Sequence, residues 1–212
     1  MGMVTFHVAV SLDGYMAGPD QSLEEPLGVG GEDLHNWLVE LEVWRRNEGE
    51  TGGITNASTQ VVEEATANVG AYIMGRKMFG GGPGPWKDDP PWRGWWGDDP
   101  PYHTPVFVLT HHPREPLEME GGTTFYFLAD GIEALQQAKE AAGDRDVSIA
   151  GGADVIRQYL RAGLVHAFEL SVVPLVLGGG ERPLDDVGDL RLEQVRTVEA
   201  PGVTHLKYRV VR

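Results

Sequence analysis

The middle of the chain alternates between short apolar segments and helical segments, and this alternation limits the fold more than any other feature. Segments rich in β-branched and aromatic residues predict strands, and amphipathic segments ended by glycine predict helices. The predicted strands are Tyr72–Met74, Pro105–Thr110, Thr123–Leu128 and Val147–Ala150, and the predicted helices are Ile132–Ala142 and the segment after Gly152. Because such strands need crossover connections, the pattern predicts a parallel sheet with helices on its faces.

The two ends of the chain extend this pattern. A first strand is predicted at Val4–Val10, followed by a helix over residues 33–47 and by a second helix from Ser58 or Thr59, with Gly70 as its C-cap. The C-terminal third contains strands without intervening helices, which predicts antiparallel edges. These strands are Ala167–Leu177, interrupted by Pro174, and the pair Arg191–Val198 and Val203–Val211.

Charge and composition restrict the partners of this protein. The 212 residues include 32 acidic and 17 basic side chains, a formal net charge of −15. Such a surface repels phosphate backbones and anionic lipids, so nucleic-acid and membrane partners are not expected. The chain has no cysteine, which excludes disulfides and zinc–thiolate sites and fits a cytoplasmic location. No signal peptide, transmembrane segment or linker is recognisable, so one domain over residues 1–212 is predicted.

Three predicted strands end at junctions that contain unusual residues. Gly75-Arg76-Lys77 follows one strand, Thr110-His111 closes another, and Gly151-Gly152-Ala153-Asp154 follows a third. Because ligands of open α/β sheets bind beyond the carboxyl ends of parallel strands, we expect the three junctions to line one edge. Glycines directly before a helix let its first amides face a pyrophosphate.

The cations of the first junction indicate how a nucleotide cofactor would be held. Arg76 has the geometry to fork onto a phosphate, such as a 2′-phosphate, and Lys77 adds a point charge. Thr110 offers a hydroxyl to a phosphate or to adenosine. The alternatives are that Gly151-Gly152 is only a tight turn and that the two cations form a solvated surface.

Four motifs occur in order along the chain: Ser11–Ala17, Met74–Phe79, Ala150–Ala153 and Val173–Gly180. They resemble signatures of the dihydrofolate-reductase-like superfamily, and within it the reductase domain of the riboflavin-biosynthesis bifunctional deaminase-reductase and its stand-alone relatives. The resemblance spans nearly the whole chain. It implies a three-layer α/β fold, with helices on both faces of a mixed, mostly parallel sheet and antiparallel C-terminal strands. No zinc motif of the deaminase half (His-x-Glu with Pro-Cys-x-x-Cys) is present, so only the reductase half is represented.

The resemblance also implies NADPH as hydride donor, a small-molecule substrate and a homodimer. Residues 9–17 would flank the nicotinamide and the substrate, with Ser11 and Asp13 as substrate contacts. The implied cofactor-binding residues are Ala9, Met16, Ala17, Gly75, Arg76, Lys77, Met78, Thr110, His111, Gly151, Gly152, Ala153, Asp154 and Val155. With Arg76 on an extra phosphate, Arg76→Ala is expected to weaken NADPH more than NADH.

The proton donor has two candidates, Asp33 and Asp13. Dihydrofolate reductases use a carboxylate on the first helix to bind and help protonate a pterin, and Asp33 is near the start of that predicted helix. An N-cap role is the favoured alternative for Asp33. Asp13 would lie beside the nicotinamide, although Asp13-Gly14 is also a standard turn pair.

The segment Gly80–Tyr102 is rich in Gly, Pro and Trp, and we interpret it as an ordered flap. Trp86 is the best candidate to stack on a flat substrate, whereas packing in a core or a subunit interface is favoured for most of the other tryptophans. No metal site is predicted, since no Glu or His at ligand spacing accompanies His111 and His112.

The leading hypothesis is an NADPH-dependent reductase that transfers a hydride to a C=N or C=O bond. Its substrate would be a small heterocycle, pterin-like or pyrimidine-like, or a sugar imine. A nucleotide-binding protein without turnover and a reductase with a flavin or deazaflavin are the alternatives. A homodimer would use the C-terminal strands or the Trp-rich segment.

Overall fold

The structure, a computed structural model, describes residues 2–87 and 92–211 of the chain. Its strands are β1 (Val4–Ser11), β2 (Val69–Gly75), β3 (Pro105–Leu109), β4 (Leu117–Glu118), β5 (Thr124–Leu128), β6 (Asp146–Gly151), β7 (Ala167–Val173), β8 (Arg191–Ala200) and β9 (Val203–Val211). The helices are α1 (Asn36–Val39), α2 (Glu42–Asn47), α3 (Ala57–Ala67), α4 (Arg76–Phe79), α5 (Gly131–Ala142) and α6 (Ala153–Arg161), with 3-10 turns at Glu32–His35 and Glu120–Gly122.

The strands form one sheet in the order β4-β5-β3-β2-β6-β1-β7-β9-β8. The run from β5 to β7 is parallel, and β4, β9 and β8 are antiparallel to their neighbours. From β2 the chain continues to β3, towards one edge of the sheet. From β6 it continues through α6 to β7, towards the other edge. Such a reversal opens a crevice at the carboxyl ends of the two strands. The predicted mixed, mostly parallel sheet with antiparallel C-terminal strands is confirmed.

Alternate residues of β1 point to two cores, one on each face of the sheet. Phe6 belongs to the core formed with α5 and α6, where it stacks on Phe168 with ring centroids 4.7 Å apart. Ala9 belongs to the other core, which contains Trp37 and Leu41 from the first helical segment. Helices therefore cover both faces, as the sequence predicts.

The prediction of one helix over residues 33–47 is wrong. Gly31 is the N-cap of the 3-10 turn, and no side chain caps that end, so Asp33 is not the N-cap either. Leu41 has extended backbone angles, φ −72° and ψ 140°, and forms a bridge with Ile54. This pairing interrupts the chain between α1 and α2, because a residue in a β-bridge cannot continue an α-helical ladder.

The prediction that Gly70 caps the second helix is also wrong. Asn56 begins α3 through a capping box with Thr59, and the helix ends at Asn68. Gly70 instead lies in β2, directly under α5. A Cβ atom on Gly70 would lie 2.8 Å from Ala142 Cα and 2.9 Å from Ala142 Cβ, so glycine allows the helix to approach the strand.

Gly70→Ala is therefore expected to lower the free energy of unfolding by about 3 kcal/mol, the upper end of the usual cost of overpacking. The contact is with backbone atoms of α5, which cannot rotate away as a side chain can. Urea unfolding measures the change. Gly152→Ala is the matched control, since a Cβ there meets nothing within 4 Å. Equal stability of the Gly70 variant and the wild type would contradict this packing.

The Trp-rich segment and Phe79 of α4 cover one face of the sheet together. Trp92 and Trp96 pack against the face of β3 and β5 that points away from α5, in a core with Phe79, Phe125 and Phe127. Trp92 Nε1 donates to the Phe79 carbonyl at 2.9 Å, and Trp96 stacks on Phe125 with centroids 5.9 Å apart. The described part is thus ordered and packed; residues 88–91 of the predicted segment lie outside the described residues.

A chain of buried polar side chains crosses the opposite end of the sheet. His7 Nε2 and Ser171 Oγ are 2.7 Å apart, Ser171 Oγ and His205 Nδ1 are 2.8 Å apart, and His205 Nε2 lies 2.8 Å from Ser58 Oγ on α3. Burial lowers the pKa of both histidines to about 4. The positive charge of Lys207 adds to the effect on His7.

Strand β8 forms one edge of the sheet and contains a bulge. Its pairing with β9 shifts register between Gln194 and Arg196, and Val195 between them is exposed.

Across the described residues, no helix combines the length and the apolar character that a membrane span requires.

Candidate functional site

The two glycine junctions predicted to share an edge are in contact. A Cβ atom on Gly75, at the end of β2, would lie 3.0 Å from Val155 Cγ2, 3.7 Å from Gly152 N and 3.9 Å from Gly151 O. The chain reversal between β2 and β6 brings these residues together. Glycine at position 75 leaves room for the first turn of α6 to approach the strand end.

The N-terminus of α6 faces open space. Gly152 is its N-cap, with extended backbone angles of φ −78° and ψ −166°, and no side chain caps the helix. A Cβ atom on Gly152 would meet nothing within 4 Å. The first amides of a helix lack partners inside the helix and carry partial positive charge, so this end suits an anion.

Two methionines flank the glycine that precedes this cap. Gly151 has a φ of 140°, a region that favours glycine. A Cβ atom there would lie 3.2 Å from Met78 Sδ and 3.5 Å from Met16 Cε. The predicted cofactor residues Met16, Met78 and Gly151, from three separate chain segments, thus line one wall of the crevice.

Charged side chains around α6 form a balanced cluster. Arg157 pairs with Asp154 in the first turn and with Glu181, 3.3 Å away, in the loop after β7. Glu181 also lies 3.6 Å from Lys77 Nζ. Its backbone pairs with Met16 and Ala17, which connects this loop to the loop after β1. Glu181 and Arg157 are not among the residues predicted from the sequence; the acidic residue directly after Gly178-Gly179-Gly180 was the available signal.

Ser11 and Asp13 use their polar atoms within the loops. Ser11 Oγ donates to Asp13 Oδ1 at 2.6 Å, and the amides of Leu177 and Gly178 donate to the same carboxylate at 3.1 and 2.8 Å. The Ser11 hydrogen bond, followed by the amide of Gly178, lowers the pKa of Asp13 to about 2. A carboxylate with this pKa holds no proton at neutral pH, which favours the turn role over that of a general acid.

Asp33, the other candidate acid, lies in the 3-10 turn. Its exposed carboxylate accepts a hydrogen bond from Asn36 Nδ2 at 3.0 Å. The N-cap role of Asp33 is excluded. Its catalytic role stays a prediction. Within the described ranges, no group of three or more His, Asp or Glu side chains is arranged to hold a metal ion.

Arg76 is engaged inside the protein. Its Nε donates to the Gly80 carbonyl at 3.0 Å, and its Nη2 donates to the carbonyls of Gly81 and Gly82 at 3.2 and 3.0 Å. Its Nη1 reaches Thr110 Oγ1 at 3.4 Å. Thr110, at the end of β3, is buried, whereas the neighbouring His111 is exposed. The junctions of β2 and β3 are therefore joined through this arginine.

Trp86 lies between two arginines. The Cζ atoms of Arg76 and Arg114 lie 3.2 and 3.9 Å from the centroid of its ring. Two guanidinium groups this close to one centroid would overlap if they shared a face, so each covers one face. The ring has no free face for the predicted stacking on a substrate. Its Nε1 donates to the His112 carbonyl at 2.7 Å. No sequence pattern indicates the role of Arg114.

Comparisons with known proteins bear on the family and the fold of this chain. The family model described as the RibD C-terminal domain matches residues 2–206. The protein YyaP of Bacillus subtilis (strain 168), described as uncharacterized, is 35% identical over 86 residues, which are 39% of this chain and 45% of YyaP. The chain thus matches less than half of the length of that relative.

Two solved structures show the fold. A putative riboflavin biosynthesis protein from Shewanella sp. PV-4 superposes with a TM-score of 0.65 at 20% identity, over 99% of both chains. Dihydrofolate reductase from Enterococcus faecalis, complexed with NADP(H) and RAB-propyl, superposes with a TM-score of 0.54 at 16% identity, over 99% of this chain and 96% of that one. The dihydrofolate-reductase-like fold implied by the four motifs is confirmed.

Proposed function

Because the chain belongs to the family of the RibD C-terminal domain, we propose that it is a reductase that binds NADPH and reduces a C=N or C=O bond of a small molecule. The observation that carries this proposal is the contact between Gly75 and the Gly151–Gly152 junction, in front of an uncapped helix with open space at its N-terminus. A glycine cradle at a helix N-terminus fits the pyrophosphate of a dinucleotide.

Different residues of the crevice would bind different parts of the cofactor. Gly152 leaves space for the pyrophosphate, and the first turn of α6 offers its amides. Met16 and Met78 flank Gly151 at the end of β6 and supply an apolar wall for a planar ring. Bound NADPH supplies the hydride, and the protein positions the reactants and excludes water.

The substrate is proposed to be a pterin-like or pyrimidine-like heterocycle or a sugar imine. The loops after β1 and β7 border the end of the crevice where it would bind, and Asp13 fastens them to each other. Asp33 is the proposed proton donor, since the carboxylate of Asp13 is engaged by Ser11, Leu177 and Gly178. Ala9 and Ser11 lie on the terminal part of β1, beside the same loops.

A thermal-shift titration with NADPH, NADH and FMN tests the proposal. Ligand at 100 times its dissociation constant stabilises a protein by about 2.7 kcal/mol. For a chain of this size that raises Tm by about 5–10 °C. NADPH is expected to produce this shift and to be oxidised when a suitable pterin or pyrimidine is added. A shift with FMN alone would favour the flavin alternative, and no shift with any of the three would refute the proposed function.

A saturable shift without oxidation would support the non-catalytic alternative only if several substrate classes had been offered. The ionised state of Asp13 favours that alternative, because it leaves Asp33 as the one named acid. Asp33→Asn separates the two. A reductase that depends on this acid should lose turnover and keep its affinity for NADPH, whereas a binding protein should show no difference in either.

A further inference from the structure

The turn after α4 is built to direct carbonyl groups at Arg76. Gly80, Gly81 and Gly82 have φ values of 87°, 83° and 71°, a left-handed run that side chains disfavour. A Cβ atom on Gly80 would lie 2.6 Å from Trp95, and one on Gly81 would lie 3.0 Å from Trp92. The three glycines therefore allow three successive carbonyls to face one guanidinium group while the tryptophans pack against the turn.

The hydrogen bonds of Arg76 leave little for a ligand. A guanidinium group has five N–H donors, and the bonds to Gly80, Gly81, Gly82 and Thr110 use four of them. A bidentate grip on phosphate needs two neighbouring donors. One Nη1 hydrogen remains, so Arg76 cannot form that fork while the turn is intact.

One flat face of the Arg76 guanidinium group is in contact as well. Arg76 stacks on Trp86, and Arg114 covers the far face of the same ring. Arg114 Nη2 donates to the Trp92 carbonyl at 2.6 Å. Arg114 has the same positive charge as Arg76, and it has no carboxylate partner among the described residues. Arg76 therefore connects three chain segments: the turn 80–82, Trp86 and Thr110.

We infer that Arg76 is a positioning residue for the proposed cofactor and that it does not read a 2′-phosphate. It fixes the turn 80–82, Trp86 and Thr110 relative to one another beyond the ends of the neighbouring strands β2 and β3. The other cation of this junction is Lys77, whose side chain is 70% exposed and whose Nζ lies 3.6 Å from Glu181 Oε1. Arg76 thus sets the affinity for NADPH and NADH alike, and Lys77 supplies the charge that meets a phosphate. This inference rests on the proposed function and reverses the expectation from sequence that Arg76→Ala selects against NADPH.

The test compares Arg76→Ala, Arg76→Lys and Lys77→Ala with the wild type. Dissociation constants are measured for NADPH and for NADH, and the near-UV circular dichroism of the free proteins reports the packing of the tryptophans. Both Arg76 variants are expected to weaken the two nucleotides by the same factor, on the order of tenfold, because misplaced binding groups lose affinity for every ligand of the site. Both should also change the tryptophan signal, since Trp86 loses the group on one face.

Arg76→Lys is the decisive variant. It keeps the positive charge and has no fork, so a positioning role predicts that lysine does not rescue binding, whereas a charge contact with phosphate predicts substantial rescue for NADPH. Lys77→Ala, the matched control, is expected to weaken binding and to leave the tryptophan signal unchanged.

Two outcomes would overturn the inference. One is a selective loss of NADPH affinity in Arg76→Ala, and the other is recovery of NADPH affinity in Arg76→Lys. If Arg76→Ala does not fold, the lysine variant alone gives the ratio of the two constants. A wild-type protein that binds neither nucleotide would instead refute the proposed function, and this inference with it.

Discussion

Gly152→Leu is expected to weaken NADPH binding by on the order of 100-fold, equivalent to about 2.7 kcal/mol, while the free energy of unfolding changes little. The position combines two properties that rarely coincide. Its backbone angles are extended, which any residue can adopt, and a Cβ atom on it touches nothing within 4 Å. A leucine side chain would therefore extend from a Cβ atom without protein contacts into the space in front of α6.

Gly152→Ala provides a graded control for the same site. Its single methyl group occupies less of the crevice, so the loss of affinity should be much smaller than with leucine. Isothermal titration calorimetry measures the affinities, and urea unfolding checks that both variants are folded. If Gly152→Leu binds NADPH as tightly as the wild type, the pyrophosphate does not lie at the N-terminus of α6.

Acid is expected to destabilise the protein steeply between about pH 6.5 and about pH 4. His7 and His205 have pKa values of about 4 in the folded protein, chiefly because they are buried, against about 6.5 in an unfolded chain. The unfolded state therefore binds more protons in this window, and stability falls as pH falls. Each histidine contributes a slope of up to about 1.4 kcal/mol per pH unit. The contribution is fully present above about pH 6.5 and is lost once the folded-state pKa is passed.

Urea unfolding at a series of pH values measures this slope. The charges around the pair act in both directions: Lys207 lowers the pKa of His7, Arg196 lowers the pKa of both histidines, and Glu169 raises that of His205. His7→Gln removes one titrating ring and should reduce the slope by about half. A stability that is flat across the window would contradict the neutral, buried state of the pair.

Local sequence signals were sufficient where the structure depends on local chemistry. The glycines at 75 and 151 mark sharp strand ends whatever surrounds them, and the alternation of strands and helices then places those ends at one edge. The helix over residues 33–47 failed for the opposite reason. Its apolar spacing is helical, but Leu41 pairs with Ile54, and the sequence does not show that contact.

The role of Arg76 shows a second limit of sequence reasoning. A strand end, a glycine and a cation describe an anion site equally well whether the guanidinium group is free or engaged. The answer depends on the left-handed turn at 80–82 and on the orientation of Trp86, both of which are set by tertiary packing. The contacts of Arg114 also depend on tertiary packing. Its role could not be predicted, because it lies in a loop without any recognisable sequence pattern.

The bulge in β8 bears on how molecules of this protein meet at high concentration. An edge strand offers unpaired amides and carbonyls to a strand of another molecule. The ten residues of β8 would make a long template, but the register shift near Val195 divides the strand and disturbs the even spacing that strand addition needs. Open-ended growth of the sheet from one molecule to the next is disfavoured as a result. The predicted homodimer, if it used this edge, would be limited to short ladders on either side of the bulge.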